Sequence, residues 1–240
     1  MGVYFEVLAD KPALVERGQA LVVAKISEAI AARGRCTLAL AGGSTPRPLY
    51  EGLAADPSLP SNRLHVFWGD ERYVPADHPD SNQHMARAAW LDREPPFPAA
   101  NIYPMPTTGG DPATDAALYE QQLQDFFALA PGEFPAFDII LLGMGDDGHT
   151  ASLFPHTEAL AVGDRLVTVG NKGDSQRLTL TYPVLNAARC VIFLVAGANK
   201  QTALTAVRSP QGDWQTYPSG AVRPTGDLWW LVDRTAAGEG

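Results

Sequence analysis

The chain has 240 residues, and its 18 Lys and Arg against 27 Asp and Glu leave a formal charge of −9. A hydrophobic fraction of 45% with 19% charged residues fits a folded globular chain and excludes a largely disordered one. The acidic balance argues against nucleic acid or an anionic membrane as partner; no run of about 18 apolar residues predicts a membrane span, and the N-terminus meets Asp10 and Pro12 too early for a signal peptide.

In chain order, the first strand-length apolar run is Val3–Leu8. Val22, Ile26 and Ile30 then repeat at helical spacing, predicting an amphipathic helix over 12–33 that ends near Gly34. The run Cys36–Ala41 leads into Gly42-Gly43-Ser44-Thr45, where Pro46 opens a helix. The strand Leu64–Trp68 is followed by a polar stretch and a short helix over 82–91. Residues 92–112 carry six prolines and read as a long loop. Asp111-Pro112 starts a helix whose Tyr119, Leu123, Phe126 and Phe127 share a face. Further strand-length runs are Phe137–Leu142, Leu166–Val169, Leu178–Thr181, Val191–Ala196 and Leu228–Val232, with a helix over 199–208 and a second long loop over 209–227. Apolar residues in succession predict strands buried on both faces, as in a helix-covered parallel sheet. The alternation predicts one α/β domain over 1–240, an open, mostly parallel, Rossmann-like sheet with helices on both faces; about 234–240 is expected to be a mobile tail.

Cys36 and Cys190 each sit inside an apolar run, which predicts buried free thiols and, with no secretory segment, a cytoplasmic protein. Oligomeric state is not legible in the sequence, and a monomer is favoured.

Four stretches carry candidate chemistry. The Gly42-Gly43-Ser44-Thr45 turn lets backbone approach a ligand, and the amides of a helix start suit an anion; it is neither a P-loop nor a GxSxG elbow. Its other reading is a capped strand–helix turn. In GDERYVPADHPDSN, Asp70 and Arg72 stand at the carboxyl end of a strand, the edge where open α/β sheets bind ligands. Asp77, His78, Asp80 and His84 match no familiar metal spacing and read as a turn-rich loop that caps the following helix; no metal is expected. In GMGDDGHTASLFP, His149 lies in a Gly-rich loop at a strand end, and an imidazole titrates close enough to neutral pH to act as a general base. His156 reads as a surface residue. Arg177 and Lys200 flank predicted strands, and with Arg72 they can form a phosphate clamp against the acidic background.

The blocks AGGSTPRPLY, WGDERYVPADHPDSN, LLGMGDDGHTASLFP, RLTLTYPVLNAA and AGANK, in that order, closely resemble the 6-phosphogluconolactonase family, over about residues 5–236. That family is grouped with glucosamine-6-phosphate deaminases. The resemblance implies a cofactor-free α/β hydrolase of 6-phospho-D-glucono-1,5-lactone in the oxidative pentose phosphate pathway. By motif, His149 is then the general base, and Gly43, Ser44, Thr45, Arg72, Arg177 and Lys200, together with Gly42 of the same turn, are the substrate and phosphate contacts. Asp146 stands where the family more often has Glu. Chemistry adds Asp147 as the carboxylate that orients the imidazole, with a turn-forming role as its alternative, and Asp70 as a weaker candidate for placing water. A deaminase would have Tyr where Arg72 stands and a different segment after the His loop. A sugar-phosphate sensor would carry a DNA-binding segment, whereas here the first strand comes almost at once.

Overall fold

A computed structural model describes residues 2–209 and 212–239. The elements are β1 (Val3–Leu8), α1 (Lys11–Arg33), β2 (Cys36–Leu40), α2 (Pro46–Ala54), β3 (Leu64–Trp68), β4 (Asp70–Arg72), α3 (Asn82–Ala86), α4 (Pro112–Phe127), β5 (Ile139–Gly143), β6 (Val167–Lys172), β7 (Ser175–Leu180), α5 (Tyr182–Ala187), β8 (Cys190–Val195), α6 (Gln201–Arg208), β9 (Asp227–Asp233) and α7 (Arg234–Ala237).

Six strands form an entirely parallel sheet in the order β1-β9-β8-β5-β2-β3. Every residue of β2 and β8 is buried, so helices and loops cover both faces of the central strands. The helix α1 shows why the local sequence folds as it does. Asp10 accepts the Ala13 amide at 2.9 Å and Pro12 sits in the first turn. Gly34, at φ 76°, closes the far end by donating to the Ile30 carbonyl. Its 23 residues, about 35 Å at 1.5 Å per residue, carry the chain from β1 at one edge to β2 near the other, with Leu14, Leu21, Val22 and Ile26 facing the core. Past β2 the chain moves to β3 on one side, while β5 pairs on the other. The strand order therefore reverses between β2 and β5, and a crevice opens at their carboxyl ends.

The structure corrects three expectations and bears out the long loop 92–112. The runs around Leu166–Val169 and Leu178–Thr181 do not join the parallel sheet. They extend to β6 and β7, a hairpin that pairs antiparallel with β4 in a separate three-stranded sheet, order β4-β7-β6. The segment 82–91 is not one helix: α3 passes into a π-helical turn, Arg87–Leu91, whose Trp90 packs at 5.5 Å against Phe97. The long loop 92–112 is anchored by Tyr103, which stacks on Phe67 at 4.5 Å, and by the buried Phe97 and Met105. The tail expected to be mobile begins as the helix α7, because Asp233 caps it by accepting the Ala236 amide at 2.8 Å; residue 240 lies outside the described residues. Cys36 and Cys190 are buried free thiols, as expected. No helix among the described residues is long and apolar enough to cross a membrane.

Candidate active site

A cavity of about 390 Å³ occupies the crevice at the β2/β5 switch. Its walls include Gly42, Gly43, Ser44, Thr45, Asp70, Arg72, His149, Arg177 and Lys200, which the sequence scatters over more than 150 positions. Asp147 does not line the cavity; it lies behind His149.

The glycine turn follows β2. Tyr50, fully buried on α2, donates its hydroxyl proton to the Ala41 carbonyl at 2.8 Å and accepts the Ala41 amide at 2.9 Å, fixing where the turn begins. Gly43 has φ 98°, open only to glycine at little cost, and a side chain there would project into open space. The Lys11 ammonium holds the turn from outside by donating to the Ser44 carbonyl at 3.0 Å. Pro46 and Pro48 carry no amide proton, and Thr45 makes no side-chain cap, so the donors at this helix start are the amides of Gly43, Ser44, Thr45 and Arg47.

Strand β4 carries the next three residues. Asp70 is buried and both its carboxylate oxygens are engaged: Ser152 donates to Oδ2 at 2.6 Å and Asn82 to Oδ1 at 3.3 Å. Glu71, also buried, accepts from Ser81 Oγ and from the amides of Arg72, Asn82 and Gln83, which ties the loop 73–81 back onto the strand. Burial raises the Glu71 pKa against the lowering effect of those amides. Arg72 stands directly opposite Arg177 in the β4–β7 register, so the two guanidinium groups share one face. Arg72 donates to the Asp80 carbonyl at 2.6 Å, and the Nε of each arginine is buried without a partner. Among the described residues neither forms an ion pair. Burial and then the Arg72 charge lower the Arg177 pKa, although a guanidinium stays cationic. Two adjacent cations with no carboxylate in ion-pair contact among the described residues suit an anionic oxygen cluster, although Asp70, Asp80 and Glu71 act on Arg177 from further off.

The imidazole comes from the loop after β5. His149 Nδ1 lies 2.6 Å from Asp147 Oδ1, which also accepts the His149 amide at 3.0 Å. Burial pushes the Asp147 carboxyl up, but the hydrogen bonds and charge of His149 outweigh it and hold the pKa at about 2. An ionised carboxylate only accepts, so Nδ1 carries the proton and Nε2 is left as the basic nitrogen. Gly145 makes the pair possible, since a Cβ there would sit 2.0 Å from His149 Nδ1 and 2.4 Å from Asp147 Oδ1. The short 3-10 turn Pro218–Ala221 braces the far side, with the Ser219 amide donating to the Gly148 carbonyl at 2.9 Å. Lys200 follows Gly197, whose amide is shared by both Asp233 carboxylate oxygens at 3.1 Å. His156 is exposed.

Sequence reasoning missed Tyr50, Glu71, Asn82, Ser152 and Asp233, which hold the others in place. The first four fall inside the recognised blocks and could have been read as part of them. Asp233 had only the weak signal of an Asp at a strand end before a helix.

The family model for glucosamine-6-phosphate isomerases/6-phosphogluconolactonase matches residues 9–230. A 6-phosphogluconolactonase of Nostoc sp. is 59% identical over 98% of this chain and 97% of its own. One from Synechocystis sp. is 58% identical over 96% of this chain and 95% of its own. The solved structure of 6-phosphogluconolactonase from Trypanosoma brucei superposes with a TM-score of 0.85 at 30% identity, over 98% of this chain and 97% of that one. By model, by sequence and by fold, the chain belongs to the glucosamine-6-phosphate isomerase/6-phosphogluconolactonase family.

Proposed function

We propose that the chain hydrolyses 6-phospho-D-glucono-1,5-lactone to 6-phosphogluconate. The observation that carries this reading is the meeting, in one cavity, of an imidazole held by an ionised carboxylate with two adjacent arginines that form no ion pair among the described residues. One end suits a proton transfer and the other a phosphate dianion.

Arg72, Arg177 and Lys200, with the amides of the Gly42–Thr45 turn, bind the substrate and its phosphate. That binding energy is spent on orientation at C1, far from the phosphate itself. A δ-lactone is an activated ester, so water suffices as nucleophile. His149 Nε2 takes one proton from water as the oxygen bonds to C1, and the carbonyl electrons move onto an oxyanion held by loop amides. Collapse of the tetrahedral centre breaks the bond from C1 to the ring oxygen, and the imidazolium returns its proton to that oxygen. The product is a carboxylic acid that ionises to solvent. Asp147 fixes the tautomer and stabilises the imidazolium. Asp70, its oxygens already engaged by Ser152 and Asn82, shapes the cavity wall and offers water only a remaining lone pair.

The test generates the lactone in situ with glucose-6-phosphate dehydrogenase and follows its loss, with spontaneous opening subtracted. The expected result is acceleration by the protein that His149→Ala abolishes while 6-phosphogluconate still binds. Acceleration that survives the substitution would remove His149 as base. No acceleration would overturn the reaction.

A further inference from the structure

Phe154 lies at the end of the His149 loop and is 4% exposed. Its ring packs against the imidazole of His149, with centroids 4.5 Å apart and planes 38° apart. The guanidinium carbon of Arg177 lies 5.3 Å from the same centroid and the Lys172 ammonium 5.8 Å. The backbone that carries the ring is held on both sides. Leu153 donates its amide to the Thr150 carbonyl at 2.9 Å to close a turn, and the Phe154 carbonyl accepts the Thr157 hydroxyl at 2.8 Å. Arg177, by contrast, has little else to rest on: among the described residues its guanidinium makes no ion pair, and its Nε is buried without a partner.

We propose that Phe154 is a positioning residue, whose ring locks the imidazole of His149 and the guanidinium of Arg177 to one another and so fixes the span between the reacting carbon and the phosphate. The inference rests on the reading of His149 and Arg177 given above and adds the element that couples them. Asp147 constrains one edge of the imidazole through a single hydrogen bond, which leaves the tilt of the ring free; contact with Phe154 removes that freedom. The ring also acts electrostatically. Its negative face attracts cations, so the imidazolium formed during proton transfer is favoured over the neutral imidazole, a gain made only as the reaction proceeds. The charges around His149 are Asp147 and the exposed Asp146 on its own loop, Arg177 and Lys172 on the hairpin through the ring, and Asp70, Arg72 and Lys200 on the remaining walls.

The test compares Phe154→Leu with Phe154→Tyr. Phe154→Met is measured in parallel, so the comparison stands if one variant fails to fold. In Leu and Met, kcat is expected to fall about tenfold, KM for the lactone to rise, and the acid limb of kcat/KM to move to lower pH as the imidazolium loses its aromatic face. Tyr keeps that face and is expected to stay within about twofold of the parent, with the limb in place. Combined with Arg177→Met, Phe154→Leu should cost less than the product of the two single losses, because both break the same link. Folded Leu and Met variants with parental kcat, KM and acid limb would overturn the proposal. So would equal damage in Leu, Met and Tyr, or strictly multiplicative losses, which mark simple packing. Failure of the underlying reading shows separately, as activity surviving in His149→Ala.

Discussion

In the proposed mechanism the base, His149, depends on the carboxylate behind it. Asp147 is held at a pKa of about 2 against an ordinary 3.8: burial raises it, and the His149 contacts more than reverse that. It is therefore ionised throughout the neutral pH range. Asp147→Asn keeps the shape but loses the charge, and its amide can present a proton to Nδ1 and impose the wrong tautomer. Such a change is expected to lower kcat by about 10²-fold or more with little change in KM, and to move the acid limb of kcat/KM to lower pH; steady-state kinetics across pH 5–9 reads both. Linkage gives the sign for stability. A carboxyl whose pKa is lowered on folding contributes above its ordinary pKa and loses that contribution as pH falls from 3.8 towards about 2. The acid unfolding of Asp147→Asn should accordingly be less steep over that window than the parent's.

At the scale of elements, the site depends on strand ends held by residues that never touch the cavity. Asp233 closes β9, shares its two oxygens with the Gly197 amide at 3.1 Å, accepts Thr235 Oγ1 at 2.9 Å and caps α7. One carboxylate thus fixes both the chain's last helix and the turn that presents Lys200. Asp233→Ala is expected to cost about 2 kcal/mol, since it removes a helix cap and leaves a part-buried amide unsatisfied. Denaturant unfolding measures that loss. A several-fold rise in KM at nearly unchanged kcat would report the loosened Lys200, and an unchanged KM would detach the turn from substrate binding. These elements also show what the sequence made legible. The central parallel strands were readable because burial on both faces forces continuous apolar runs, α1 because its helical spacing runs to Gly34, and α4 because an Asp-Pro start and helical spacing agree. The hairpin was misassigned because its strands continue past the apolar runs into Gly170-Asn171-Lys172 and Ser175-Gln176-Arg177, where Asn171, Lys172, Ser175 and Gln176 are exposed and polar. The two-residue Gly173-Asp174 connection was the signal for antiparallel pairing. Strand β4 is three residues long and polar, so no periodicity could reveal it, yet its pairing with β7 brings Arg72 beside Arg177.

For the whole molecule, no local pattern places residues 43, 72, 149, 177 and 200 in one cavity. Their meeting follows from the strand order β8-β5-β2-β3, which spacing does not encode; it was legible through the ordered blocks that resemble a known family. The same global view exposes a conflict of charges. The protein carries −9 overall, and a phosphomonoester is close to a dianion at pH 7. On the proposed reading, the substrate is repelled by the molecule as a whole and attracted by Arg72, Arg177 and Lys200, which line the cavity. The two effects act over different distances. At about 0.01 M salt the screening length is about 30 Å, comparable with the protein, and the net charge is felt; at about 0.15 M it is about 8 Å, and only the cations at the cavity remain in range. Added salt should first remove the repulsion and then weaken the attraction. The expected outcome is a maximum in kcat/KM near 0.1 M sodium chloride, with a fall on either side. Unphosphorylated glucono-δ-lactone, which is neutral, should show no such maximum. A decline that starts at the lowest salt would mean that the cavity cations dominate at every distance and that the acidic surface has no part in substrate capture.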